Sequence, residues 1–289
     1  METWRPMLAL GIDLADAVAL GVAVDDAGKV LRQARGAGSP SGISTLLAEL
    51  AAGHRPDAVG VAADAADAGI AAVDGWPLPR ACTPGAAAVV AESWVGAARG
   101  ARNVLCLVVG DRVTAGLLLN GEPWLGAHGA AGAAAWFALN PVERQDYRKF
   151  GNLAAEVSHD GIARRLAWRV QAGDESMVIE RAGSLDAITA AQVFEGARRG
   201  DGVAISVTRE TAKYIGMAIA NMASLLDPDI IVLGGAVADA RDLLLEPIRQ
   251  EYARRLPPGL AQELTFAISD LGEHAVATGA ARLAMVAGS

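Results

Sequence analysis

The chain has 289 residues, 52% hydrophobic, 20% charged and 4% aromatic, and its apolar content is mostly Ala, Val, Leu and Ile, which excludes a disordered chain and gives room for two domains of about 100 to 200 residues. A formal net charge of -8 without clustered Lys and Arg argues against nucleic acid as a partner, because phosphate contacts need grouped cations. No apolar run reaches the roughly 20 uninterrupted residues of a membrane span and METWRPMLALGID lacks a signal-peptide pattern, so the expectation is a cytoplasmic protein with no membrane partner.

Residues 7–13, MLALGID, read as a buried strand, and VALGVAV at 18–24 as a second, followed by a turn at Asp25, Asp26 and Gly28 and a third strand at 29–34. A helix is expected at 42–52 and a short strand at 57–63. Ala-rich 85–99 has helical spacing and leads into a strand at 103–109, after which Asn120-Gly121 marks a hairpin. Helices at 189–199 and 203–226, a strand at 229–235, a helix at 239–255, a strand at 265–269 and a closing helix from 274 complete the order. One strand-turn-strand opening used twice suggests a duplicated α/β fold with a central cleft and a boundary near 102. The two cysteines, Cys82 and Cys106, lie in or beside apolar segments with no pairing signature and read as buried thiols.

The runs ESWVGAARGARNVLCLVV, LNGEPWLGAHGAAG, NMASLLDPDIIVLGGAVADARDLLLEPIRQ and LGEHAVATGAARLA resemble the ROK family of sugar kinases and repressors. The resemblance implies a duplicated ribonuclease-H-like, actin-like ATPase fold in two domains, one of residues 1–102 plus 271–289 and a larger one of 103–270. It also implies MgATP and a sugar bound in the cleft, and a homodimer formed through the larger domain, to which the apolar segment from Trp124 to Phe137 would contribute. Fewer than ten residues precede the strand read at 7–13, so the winged helix of the family's repressors is not expected here.

Set against the family's motifs, the chain keeps Asp13 and the adenosine-side glycines but departs at both phosphate turns, the base, the sugar-holding pair and the zinc ligands. The family's first phosphate turn is Asp, apolar, Gly, Gly, Thr; here Asp13 is followed by Leu14, Ala15, Asp16 and Ala17, and a carboxylate at Asp16 repels a triphosphate. The second turn, Gly-Thr-Gly in the family, reads Gly110, Asp111, Arg112. Gly234 and Gly235 survive on the adenosine side, where they also serve to end a strand. Counting back from Glu92 places Pro84 on the family's general base, an Asp, and Thr83 on the Asn before it; proline has no side-chain proton acceptor. The sugar-holding Glu and His become Ala133 and Trp136, and the zinc-binding cysteines, ending in Gly-Cys-Leu-Glu, become Gly151, Asn152, Leu153 and Ala154, so no zinc is expected.

These losses together point to a sugar-kinase-like protein without kinase activity that binds a sugar-like ligand or a protein partner. The alternative is an active hexose or amino-sugar kinase with a relocated base, for which Asp74, in a loop, and Glu92, on the helix surface, are the substitutes. Asp13 either holds Mg²⁺ or caps its turn. Arg112 pairs with Asp16 or Asp111 in a site that no longer holds phosphate. His128 borders the sugar pocket or is a plain loop histidine, and Trp136 plugs the pocket.

Overall fold

The structure, a computed structural model, describes residues 7–15, 17–64 and 73–287. In chain order it forms β1 (Ala9–Ala15), β2 (Val18–Val24), β3 (Val30–Ala37), α1 (Pro40–Ala51), β4 (Ala58–Ala62), β5 (Arg80–Cys82) and α2 (Pro84–Trp94). There follow β6 (Val104–Val109), β7 (Val113–Leu119), β8 (Glu122–Pro123), α3 (Gln145–Phe150), α4 (Asn152–Val157), α5 (His159–Gln171), α6 (Met177–Ala182), α7 (Ala190–Arg198) and α8 (Gly202–Leu226). The chain closes with β9 (Ile230–Gly234), α9 (Arg241–Ala253), α10 (Pro258–Glu263), β10 (Thr265–Ile268) and α11 (Ala275–Val286).

Two five-stranded sheets result, ordered β3-β2-β1-β4-β5 and β10-β9-β6-β7-β8. Read from the far edge, the second repeats the first: its opening strand β6 stands in the middle, with the hairpin β7-β8 on one side and the later strands β9 and β10 on the other. In the first sheet β1 runs antiparallel to β2 and parallel to β4, and β4 runs parallel to β5. The fold is therefore the duplicated α/β arrangement expected from the sequence. By contact the chain divides into one unit made of the residues up to Cys106, Ala115–Gly132 and those from Ser269 onward, and a second made of Leu107–Thr114 and Ala133–Ile268.

In the first unit, alternation along β1 sends Leu10 and Ile12 to one face, where they meet Val59 and Val61 and the α1 side chains Ile43, Leu46, Leu47 and Leu50. The other face, with Ala9, Val22 and Ala58, packs on Ala277, Ala281, Ala284 and Met285 of α11. Gly11 and Gly60 permit that packing. A Cβ on either would stand 1.9 Å from a backbone oxygen of α11, at Ala277 and Ala280.

The core of the second unit surrounds α8, whose first turn is capped by Asp201 accepting from the Ala204 N–H at 2.8 Å. Its Ile215, Ala218 and Ile219 are buried, as are Leu166 of α5 and Ile248 of α9. The helices of 145–182 have no counterpart in the sequence reading. Three of them span only six residues, under two turns, and α5 hides its period because Arg165 occupies a buried position.

Candidate functional site

In the first unit the candidate residues gather where parallel strands end, the edge at which α/β sheets hold ligands. Strand register aligns Asp13 of β1 with Ala62 of β4, and Ala62 with Cys82 of β5. Asp13 is 7% exposed and lies inside the ladder, since β1 continues to Ala15, which pairs with Val18. Leu14 and Ala15 are thus strand residues, paired with Ala19 and Val18. Asp16 lies outside the described residues. Burial first, and the charge of Asp13 second, push the Cys82 thiol up to about 12, so it is no nucleophile at neutral pH.

The next residues begin α2. Thr83 is its N-cap, with Oγ1 accepting from the Ala86 N–H at 3.3 Å, and Pro84 occupies the first helical turn, where its missing N–H costs nothing. Thr-Pro is a strong helix start, and here it stands where the family resemblance requires Asn-Asp. Gly85 is set against the β7 backbone, with a Cβ there falling 2.1 Å from the Ala115 oxygen. His128 is exposed on a turn between Gly126 and Gly129.

The substitutes for the base take other positions. Asp74 is exposed on a turn. Glu92 is 1% exposed, which corrects the expectation of a surface residue: its Oε2 accepts from the Ala97 N–H at 2.9 Å and secures the end of α2. With Glu92 nearby, burial holds the Cys106 thiol far above its ordinary range, and both cysteines are free thiols.

The second unit brings Gly110, Asp111 and Gly235 to one edge of a cavity of about 390 Å³. Gly235, with φ 82°, lies where a Cβ would meet Val109 at 2.4 Å, so the turn after β9 can press against β6 only as glycine. The cavity is walled by Asp111, by His159 and Asp160 at the start of α5, by Thr189 at the start of α7, and by Ala236 and Asp239 after β9. Asp111 pairs with His159, Oδ1 to Nδ1 at 2.8 Å, a partner that the sequence reading missed. Arg198, also on the wall, is clamped by Asp242 through contacts of 2.8 and 2.7 Å. Sequence signals for this wall existed in the helix starts at Ser158, capping through the Gly161 N–H, and in the Thr189-Gln192 capping box.

MgATP, implied by the family resemblance, can be tested against these donors. Among the described residues the carboxylates of Asp160 and Asp239 have no hydrogen-bond or ion-pair partner, the His159 ring is bonded to Asp111, and the Arg198 guanidinium is engaged by Asp242. A triphosphate would meet like charge and no free cation, so the residues of this cavity do not fit the group. Zinc does not fit its family position either. Gly151 and Asn152 join α3 to α4, with the Asn152 amide accepting from the Leu139 N–H at 3.4 Å and donating to the Asn140 oxygen at 3.2 Å.

Beside that junction a buried ionic network holds α3, α4 and α5 together. Glu156, 2% exposed, accepts from Tyr147 Oη and from Arg144 at 3.3 Å and faces Arg165 at 3.5 Å. Arg165 also donates to Glu210 at 3.1 Å and to Thr211 Oγ1. Burial, then the bond to Glu156, raise the Tyr147 hydroxyl well above its ordinary range. Trp136 leaves 59% of its surface exposed, which is not the behaviour of a plug.

The model of the ROK family matches residues 84–286. The chain belongs to the ROK family. It is 36% identical over 190 residues to a glucokinase of Halalkalibacterium halodurans, covering 65% of this chain and 58% of that one. To a glucokinase of Streptomyces coelicolor it is 29% identical over 206 residues, 68% of this chain and 64% of the relative. The chain thus spans about three-fifths of the length of these relatives. The structure of a ROK family glucokinase from Streptomyces griseus in complex with glucose and AMPPNP superposes with a TM-score of 0.82 at 25% identity, covering 96% of this chain and 99% of that one. A ROK family transcriptional regulator has the same fold, with a TM-score of 0.79 at 19% identity over 98% of this chain and 78% of the regulator. The ROK fold is accordingly that of this chain: two mixed five-stranded sheets of the actin-like type. No helix among the described residues is long and apolar enough to cross a membrane.

Proposed function

We propose that this chain is a ROK sugar-kinase relative that binds a ligand or partner without transferring phosphate. The observation that carries the reading is Pro84: it starts α2, it is buried, and it stands on the position of the family's base without an atom able to take a proton. Glu92 does not replace it, being turned into the end of the same helix. Asp111, in the second phosphate turn, supports the same conclusion, since it places a carboxylate where the family presents threonine. A sugar-like molecule is the ligand suggested by the relatives, one of which was solved with glucose. Assembly is proposed to be homodimeric, with Trp124 and Trp136 supplying exposed aromatic surface of the kind enriched at interfaces.

A second reading, an active sugar kinase, is favoured by the names of the relatives, of which a glucokinase is 36% identical. A coupled assay with MgATP and glucose, mannose, fructose, N-acetylglucosamine or N-acetylmannosamine decides between them. The first reading expects no sugar-dependent turnover above an Asp13→Asn control. Turnover on any of these sugars that the control abolishes would establish the second.

A further inference from the structure

Among the described residues, the strands that end the two sheets differ in length: β5, β8 and β10 have three, two and four residues, whereas β3 has eight. Edge strands are ordinarily kept short, because their unpaired N–H and C=O groups invite another chain. The register tells which groups of β3 those are. The Gly38 N–H donates to the Ala17 oxygen at 2.8 Å, and bonded and non-bonded pairs alternate along an antiparallel ladder, so Gly36 and Ala34 spend their backbone groups on β2. Gln33, Arg35 and Ala37 therefore turn theirs away from β2, outward from the sheet. Leu31 is the extra residue where the register shifts opposite Ala23 and Val24, and it closes the regular edge at that end.

The charge beside this edge has one sign. Residues 27–48 contain Lys29, Arg32 and Arg35 and no Asp or Glu, in a chain where acids outnumber Lys and Arg by 33 to 25. Arg32 is turned back to the Leu50 oxygen at 2.6 Å, whereas Lys29 and Arg35 are exposed. Arg35 meets Glu273 at 3.9 Å with both side chains largely in solvent, a pair of little strength. A second copy pairing here would bring the cations of both strands to one seam without a carboxylate, and like charges across a ladder oppose pairing. The same cations favour a strand that carries carboxylates, so they discriminate between occupants.

We propose that β3 takes up an extended acidic segment of a partner protein as an added strand of the first sheet. Main-chain bonds would form at Gln33, Arg35 and Ala37, with carboxylates of the segment facing Lys29 and Arg35. This surface belongs to the first unit, and its use does not depend on whether the chain transfers phosphate.

Three fluorescein-labelled peptides of about eight residues, the length of β3, test this on the full chain by anisotropy at low salt. One alternates Val and Glu; the second has Lys in place of Glu; the third is the first methylated at every backbone nitrogen, which keeps the charge and removes the donors. The Val-Glu peptide should bind at least about tenfold more tightly than either of the others. Lys29→Glu with Arg35→Glu, both at exposed positions and so compatible with folding, should weaken it by at least about tenfold at an unchanged melting temperature and strengthen the Val-Lys peptide. No binding of the Val-Glu peptide, equal affinity for its methylated form, or unchanged affinity in the double variant would each overturn the proposal. So would an oligomeric state, read by light scattering, that changes with the double variant, because the edge would then belong to a second copy.

Discussion

Replacing Glu156 by Gln tests whether the buried network of α3, α4 and α5 is what holds the second unit at the position of the family's zinc cluster. The substitution keeps the size of the side chain, so no cavity opens, and an amide oxygen can still accept from Tyr147. What is lost is the charge facing Arg165, which is itself 5% exposed and keeps only Glu210, half exposed, as a carboxylate partner. Removing one member of a buried ion pair costs about 3–5 kcal/mol, and the remaining partner places this case at the lower end, about 3 kcal/mol. The double replacement Glu156→Leu with Arg165→Met removes both buried charges but takes the acceptor from the Tyr147 hydroxyl and the partners from half-exposed Arg144 and Glu210, so it should cost about 1–2 kcal/mol, less than the single replacement. Urea unfolding followed by circular dichroism and by tryptophan fluorescence measures both, with the two signals compared because two units need not unfold together. A loss below about 1 kcal/mol for Glu156→Gln, or a double variant less stable than the single one, would refute the assignment.

Thr83→Ala should cost about 1 kcal/mol through the lost cap of α2, read as a lower urea midpoint. Gly85→Ala forces a methyl group onto the Ala115 oxygen and should cost about 1–3 kcal/mol or prevent folding, measured in the same way. Neither Cys82, pushed up to about 12, nor buried Cys106 should react with iodoacetamide at neutral pH until denaturant is added; rapid labelling of the native protein would contradict this. The bond from Arg198 holds the Asp242 carboxyl below its ordinary 3.8, so its stabilising contribution is present above that value and is lost as pH falls through the lower folded value. The stability difference between the parent and Asp242→Asn should therefore be constant toward neutral pH and shrink below 3.8, and it should be small because the pair is half exposed.

Regular elements were legible where their period was long and undisturbed. The alternation of VALGVAV matches β2 residue for residue, and the ladder of apolar positions in 203–226 matches α8. The end of β1 was read two residues short because Asp13 interrupts the apolar run; a buried carboxylate in a ladder looks from sequence like the start of a turn. Glu92 was misplaced for a related reason, since a charge in an Ala-rich helix is ordinarily solvated, and only the approach of the Ala97 N–H stabilises it inside. The bond between Asp111 and His159 joins residues 48 apart and leaves no local pattern, so sequence could name Asp111 but not its partner.

The departures from the family's motifs have a common physical form. At the start of α2 a hydroxyl takes an N–H that an incoming ligand might otherwise have taken, at the β6-β7 turn a histidine takes the carboxylate, and on α7 an arginine is clamped by α9. In each case a group able to meet a ligand meets the chain instead. A site with its donors and acceptors unpaired is poised for binding at a cost to stability, whereas one that is internally satisfied requires a ligand to displace an existing bond, typically worth about 0.5–1.5 kcal/mol and more when charged.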